Sequence, residues 1–156
     1  MKVQVWIDGG SKPHTDQAGG YAAILKYGDK RKAVVGSAQN TTNNRMELMA
    51  AITAFKAIKQ LIGAACEVEV TADSEYVIKG MTLWVPGWKS RGWKTAAGKA
   101  VKNQDLWLEL CQWTQGHKIN WKWTRGHSDC EENNLCDKLC NEAVDKLRKR
   151  LKGDQP

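Results

Sequence analysis

Three features of the sequence predict an α/β fold: a five-stranded mixed sheet, an antiparallel hairpin plus parallel strands, with helices on both faces. Short alternating apolar runs recur along the chain. Two of them, residues 2–7 and 67–71, are separated by a long stripe of apolar residues at helical spacing. Two others, residues 21–27 and 31–39, are joined by the short polar segment Gly28-Asp29-Lys30. A strand, helix, strand order implies a right-handed crossover and parallel pairing, whereas a tight polar turn implies an antiparallel hairpin.

Each element has its own pattern. Residues 2–7 set Val3, Val5 and Ile7 on one face and end at Asp8-Gly9-Gly10, as a central strand would. After the hairpin of residues 21–39, residues 44–62 carry Leu48, Ala51, Ile52, Phe55, Ile58 and Ile62 on one broad helical face. Residues 67–71 return to alternation, Val68 and Val70 opposing Glu67 and Glu69. A short helix is expected over 74–80, an irregular basic segment over 84–100, and a helix over 104–115 with Leu106, Trp107, Leu110 and Cys111 on one side. Residues 118–123 form the fifth strand, running out into Thr124-Arg125-Gly126-His127. Ile119, Trp121 and Trp123 face one way, and Trp107, Trp121 and Trp123 are assigned to the core. Beyond a polar loop at 128–133, Leu135, Leu139, Ala143, Leu147 and Leu151 mark a terminal helix.

The 156 residues suit one domain, expected over 1–152, with 153–156 as a short disordered tail. Hydrophobic residues make up 42% and charged residues 26%, the balance of a soluble globular protein. No run approaches the roughly 20 apolar residues that span a bilayer, and no signal core opens the chain, so a cytoplasmic protein without membrane contact is expected. The five cysteines, Cys66, Cys111, Cys130, Cys136 and Cys140, are odd in number and form no CxxC pair, which fits reduced thiols packed as small apolar groups. Spacing also argues against a zinc site built from His127, Cys130, Cys136 and Cys140.

The net charge is +7, and its distribution says more than its total. No acid occurs from Tyr76 to Gln104, where Lys79, Lys89, Arg91, Lys94, Lys99 and Lys102 are interleaved with Trp84, Trp88 and Trp93. Cations alternating with large aromatics suit a nucleic-acid backbone with its sugars and bases. A second basic run, Lys146, Arg148, Lys149, Arg150 and Lys152, ends the last helix, where the helix dipole already favours cations.

Four acids sit where predicted elements would deliver them to one end of the sheet. Asp8 follows the first strand, Asp73 the fourth, Glu47 opens the long helix, and Asp137 lies early in the last helix. In open α/β sheets the functional crevice lies beyond the carboxyl ends of the parallel strands. Carboxylates gathered there repel one another unless cations join them, and hard oxygen ligands favour Mg²⁺ or Mn²⁺. Taken singly, each acid has an ordinary alternative: Glu47 could close a capping box with Asn44, Asp8 and Asp73 could be turn or cap residues, and Asp137 could complement a helix N-terminus.

These residues, with their ordered neighbours, resemble the type 1 ribonuclease H family across essentially the whole chain. The resemblance rests on Asp8-Gly9, the segment Thr42-Asn43-Asn44-Arg45-Met46-Glu47-Leu48, Asp73-Ser74, Trp88-Lys89-Ser90-Arg91-Gly92-Trp93-Lys94, Val101-Lys102-Asn103-Gln104-Asp105-Leu106-Trp107, and Gly126-His127 ten residues before Asp137. The tryptophan-rich basic segment is similar to the handle of bacterial members. Departures are an added residue before Gly19-Gly20, Glu75 where glutamine is common, and Ser-Asp-Cys-Glu-Glu after His127; none removes a carboxylate.

The resemblance implies an endonuclease that cuts the RNA strand of RNA/DNA hybrids with little sequence preference, leaving a 5′-phosphate and a 3′-hydroxyl. Asp8 would bridge two metal ions, Glu47 and Asp73 would favour the leaving-group side, and Asp137 the water side. His127 would assist proton movement or product departure. Gly10, Asn43 and Asn44, with Glu47, would read the 2′-hydroxyls of RNA, and Thr42, Arg45 and Asn103 would form a phosphate pocket for the DNA strand. Trp84, Trp88, Lys89, Arg91, Trp93 and Lys94 would follow the DNA backbone. A monomer is expected. Two other readings are a transposase-like or integrase-like nuclease acting on DNA, which does not normally combine the Thr-Asn-Asn-Arg-x-Glu segment with a basic handle, and a non-catalytic hybrid-binding module, which predicts a broken carboxylate set.

Overall fold

The computed structural model describes residues 1–11, 17–125 and 130–153. Five strands, β1 (Lys2–Ser11), β2 (Gly19–Tyr27), β3 (Lys30–Ala38), β4 (Glu67–Ala72) and β5 (Lys118–Trp123), form one sheet in the order β3-β2-β1-β4-β5. The β1–β2 and β2–β3 pairs are antiparallel, and β1–β4 and β4–β5 are parallel. The hairpin turn closes between paired Tyr27 and Lys30, with Gly28 at φ 59°, a left-handed conformation that glycine adopts without a Cβ penalty.

Helix α1 (Asn43–Leu61) packs on β1 and β2 and against α4 (Gln104–Thr114), which buries Phe55, Ile52, Leu48, Trp107 and Leu110 on one face of the sheet. Helix α5 (Glu131–Gly153) covers the opposite face over β1, β2 and β3, enclosing Trp6, Ile24 and Cys136. The thiols of Cys136 and Cys140 donate to the carbonyls of Trp6 (3.3 Å) and Gly20 (3.0 Å), so both cysteines tie α5 to the strands. All five cysteines are free thiols. Among the described residues, no helix is long and apolar enough to cross a membrane.

Several expected boundaries move. β1 continues through Asp8 to Ser11, because Asp8 to Ser11 remain paired with Ala22 to Gly19. Thr42, not Asn44, caps α1: its hydroxyl accepts from the Arg45 amide at 3.2 Å. The segment expected to be irregular from residue 84 contains α3 (Val85–Ser90), which follows α2 (Glu75–Lys79) through a π-helical turn at Gly80–Trp84. Proline at the start of α3 suits a helix N-terminus, and Trp88 packs on Trp107 with ring centroids 5.4 Å apart, so packing stabilises a helix that composition hides. The polar loop expected to reach residue 133 gives way to α5 at Glu131, where Glu131 and Glu132 complement the helix N-terminus. α5 extends to Gly153, and residues 154–156 of the expected tail lie outside the described residues.

Candidate active site

Close approach of backbone to backbone builds the site. A Cβ at Gly9 would lie 2.3 Å from the Met46 carbonyl carbon and 2.6 Å from the Glu47 nitrogen. Only glycine lets β1 touch the first turn of α1 here, and that contact sets the flanking Asp8 and Glu47 side by side. Asp73, immediately past the end of parallel β4, completes a set of three carboxylates that each offer an oxygen within 4.8 Å of the others. Asp137 reaches Asp8 from α5 as its hydrogen-bond partner. Four elements therefore converge on one point, and the capping role open to Glu47 in the sequence is taken by Thr42.

Burial and mutual repulsion are visible in the titration of these groups. Asp8 is 7% exposed, and desolvation first, then the charge of Asp73 and the hydrogen bond and charge of Asp137, push its carboxyl up to about 8. Glu47, 6% exposed, is also held well above the usual carboxylate range, by burial first and then by Asp8 and Asp73. Its Oε2 is buried without a hydrogen-bond partner among the described residues. A buried orphan oxygen beside two further carboxylates is a set of hard donors that fits a divalent cation.

Trp123 is a correction to the sequence reading. It is 51% exposed rather than part of the core, and its indole N–H donates to the backbone carbonyl of Asp73 at 3.0 Å. Because β5 is an edge strand with Trp123 paired to Ala72, its last side chain lies beside the exit of β4. Sequence reasoning missed this role; the cue was a tryptophan at the last position of a strand parallel to the one preceding Asp73. Trp121 does pack against the core, near Phe55.

The other candidates fall into three groups. Asn43 accepts from the Ser11 amide at 2.6 Å and hydroxyl at 3.4 Å, and its Oδ1 lies 3.6 Å from where a Gly10 Cβ would stand, so Gly10, Ser11, Asn43 and exposed Asn44 form one rim beside the acids. Thr42, Arg45 and Asn103 lie together: the Thr42 hydroxyl accepts from the Arg45 amide, and Arg45 Nη1 donates to Asn103 Oδ1 at 3.3 Å. Asp105, not singled out from the sequence, grips the same guanidinium at 2.8 and 3.0 Å. Asn103 adopts φ 59°, and its Nδ2 and the Trp107 indole N–H both donate to the Tyr76 hydroxyl at 3.1 Å.

Tyr76, Trp84, Trp88 and Trp93 form the third group, a continuous aromatic row with successive centroids 5.8, 6.0 and 6.1 Å apart. Lys89 and Lys94 are exposed along it, while Arg91 Nε donates to the Lys94 carbonyl at 3.1 Å and turns back into the segment. His127, expected as an auxiliary group, lies outside the described residues.

A mixed sheet in this order, with acids from β1, from α1, from just past β4 and from α5 meeting at one end of it, defines an α/β protein whose clustered carboxylates could hold a divalent metal ion. The RNase H family model matches residues 1–145, and the chain belongs to the ribonuclease H family. It is 48% identical over 146 residues to ribonuclease H of Marinobacter nauticus, covering 94% of this chain and 96% of that one. It is 45% identical over 150 residues to ribonuclease HI of Caulobacter vibrioides, covering 96% and 97%. Among solved structures, LC9-RNase H1, described as a type 1 RNase H with the type 2 active-site motif, superposes with a TM-score of 0.84 at 35% identity, over 93% of this chain and 72% of that one.

Proposed function

We propose that this chain hydrolyses the RNA strand of RNA/DNA hybrids as an endonuclease with little sequence preference, leaving 5′-phosphate and 3′-hydroxyl ends. The observation that carries the reading is the convergence of Asp8, Glu47 and Asp73, with Asp137 bonded to Asp8, in a chain of the ribonuclease H family. Two divalent ions, Mg²⁺ or Mn²⁺ in its place, would supply an activated water and charge relief at the leaving oxygen when bound. Asp8, at the centre of the acids, would hold both; Glu47 and Asp73 would serve the leaving-group side and Asp137 the water side.

The remaining residues bind and orient. Asn43, Asn44 and the Gly10 backbone present hydrogen-bonding groups beside the acids, as recognition of 2′-hydroxyls needs. Thr42, Arg45 and Asn103 offer polar and cationic groups to a DNA-strand phosphate. Trp84, Trp88 and Trp93, with Lys89, Arg91 and Lys94, offer aromatic faces and charge to the sugar-phosphate backbone further along. His127 is assigned proton movement or assistance to product departure. The protein is expected to act as a monomer in the cytoplasm.

Incubation of a labelled hybrid, and separately of free RNA, DNA duplex and RNA duplex, with and without Mg²⁺ tests the reading. Only the hybrid should be cut, and only with metal. Asp8→Asn should bind the hybrid without cutting it; undiminished cutting by that variant refutes the mechanism.

A further inference from the structure

The last turns of α5 carry a charge that the site described above does not use. From Lys146 to Gly153 the helix has Lys146, Arg148, Lys149, Arg150 and Lys152 and no acid, and Lys146, Lys149, Arg150 and Lys152 are exposed while Leu147 is buried against Ala18 and Val144. A helix C-terminus amounts to roughly half a negative charge, less than the charge of the exposed Lys146, Lys149, Arg150 and Lys152.

Contacts along α5 fix where that charge lies. Glu132 meets Lys26, which pairs with Gln4; Cys136 meets Trp6; Cys140 meets Gly20, which pairs with Gly10. The helix thus runs alongside β1 towards the end of the strand that holds Asp8, Gly10 and Ser11. From Cys140 to Lys152 it travels about 18 Å further at 1.5 Å per residue. Its cationic turns emerge at the same end of the sheet as the acids, on the face opposite α1.

The surface between mixes polar and apolar side chains. A groove of about 310 Å³ runs between β3 and α5, lined by the apolar Val35, Leu139 and Ala143 and by Ser37, Lys146, Arg150 and one acid, Glu142. Ser37 also lines an adjoining cavity of about 260 Å³ shared with Asn40, Thr41 and Arg45. The hydroxyl of Thr41, a residue only 6% exposed, has no hydrogen-bond partner among the described residues. The two cavities meet at Ser37, with Arg45 lining one and Lys146 and Arg150 the other.

We propose that the cationic end of α5 and its groove against β3 form a second phosphate-binding track, which engages the backbone of a bound duplex beyond the phosphate pocket at Arg45. The ligand class is the phosphodiester backbone, read by charge without base contacts. The proposal rests on the hybrid reading above, since that reading places a duplex across this end of the sheet. About 18 Å of helix corresponds to about five nucleotides of one strand at 3.4 Å each.

The test compares the full chain with a variant carrying Lys146→Gln, Lys149→Gln, Arg150→Gln and Lys152→Gln. The substrates are duplexes in which a few ribonucleotides fix the cut position, either short or extended on each side in turn by roughly six base pairs. For the unsubstituted chain, extension on one side should lower KM and steepen the fall of affinity with salt. The variant should cut the short duplex as before but lose the benefit of extension, with KM rising roughly three- to tenfold and the salt slope falling by about one to three. Glu142→Gln should move KM on the extended duplex the opposite way. Equal KM and salt slope for both proteins on every extended duplex overturns the proposal, and so does an equal loss on short and extended duplexes, which would mark a general charge effect. Failure of the unsubstituted chain to cut any hybrid would instead overturn the hybrid reading itself.

Discussion

The indole N–H of Trp123 donates to the backbone carbonyl of Asp73 at 3.0 Å, so the last residue of the edge strand fixes the backbone of an acid that lies beyond the neighbouring strand. A half-exposed tryptophan here adds little to the core, and its contribution is orientation of Asp73. Trp123→Phe keeps the ring and removes the donor, a loss of about 1 kcal/mol by the usual worth of one such bond. We expect divalent-ion affinity, measured by calorimetric titration, to fall by up to about fivefold, with Tm lower by no more than about 2–4 °C. Equal affinities for the two proteins would remove Trp123 from the site.

Gly9 makes a harsher prediction. A methyl group there meets the Met46 carbonyl carbon at 2.3 Å, and both partners are backbone, so relief requires β1 and α1 to part. Gly9→Ala should cost about 1–3 kcal/mol, as overpacking does, and should reduce hybrid cleavage far more than that loss of stability explains. Chemical denaturation and cleavage assays on the same preparation check both halves; a variant with full activity would show that the close approach is dispensable.

Asp8 links metal, stability and pH. Its folded-state carboxyl titrates at about 8 against an ordinary 3.8, chiefly through burial and then the nearby acids. Between those values the folded protein keeps a proton that the unfolded chain has released, so the stability of the metal-free protein is greatest at the acidic end and is lost as pH rises towards 8. Asp8→Asn removes the titration and part of the repulsion. It should raise Tm at pH 7–8 by about 2–4 °C for each kcal/mol relieved, and flatten the decline with pH. Added Mg²⁺ should stabilise the unsubstituted protein at pH 8 more than the variant. Thermal melts across pH with chelator and with Mg²⁺ decide the matter.

Much of this arrangement is legible in the sequence because two strict periodicities carry it. Val3, Val5 and Ile7 alternate into Asp8, and Val68 and Val70 alternate towards Asp73, so counting along each strand finds the acid at its end. Other features depend on neighbours distant in sequence. Alternation shows which way Trp123 faces, but not that β5 is an edge strand with too little cover to bury it. Glycines in the segment argue against a helix that Trp88 secures by packing on Trp107. Asp105, in the first turn of α4 after the left-handed Asn103, meets Arg45, a residue 60 positions earlier that no local pattern links to it.

The Arg45–Asp105 pair separates binding from stability. Two parallel hydrogen bonds at 2.8 and 3.0 Å hold the guanidinium in a fixed plane, yet the side chains are 34% and 63% exposed, so water screens the charges. Arg45 lowers the Asp105 carboxyl below its ordinary value by hydrogen bonding first. An exposed pair of this kind is worth about 0–1 kcal/mol to the fold, and Asp105→Asn should shift Tm by no more than that implies. Binding is a different matter, since a phosphate approaching Arg45 must share a cation already engaged by a carboxylate. Arg45→Ala should weaken hybrid binding and reduce the dependence of log affinity on log salt by about one. Asp105→Asn frees the guanidinium and should strengthen binding at low salt. If Asp105 instead serves mainly to aim the fork, the same substitution weakens binding, and the sign of the change in hybrid affinity, measured across a salt series, distinguishes competition from aim.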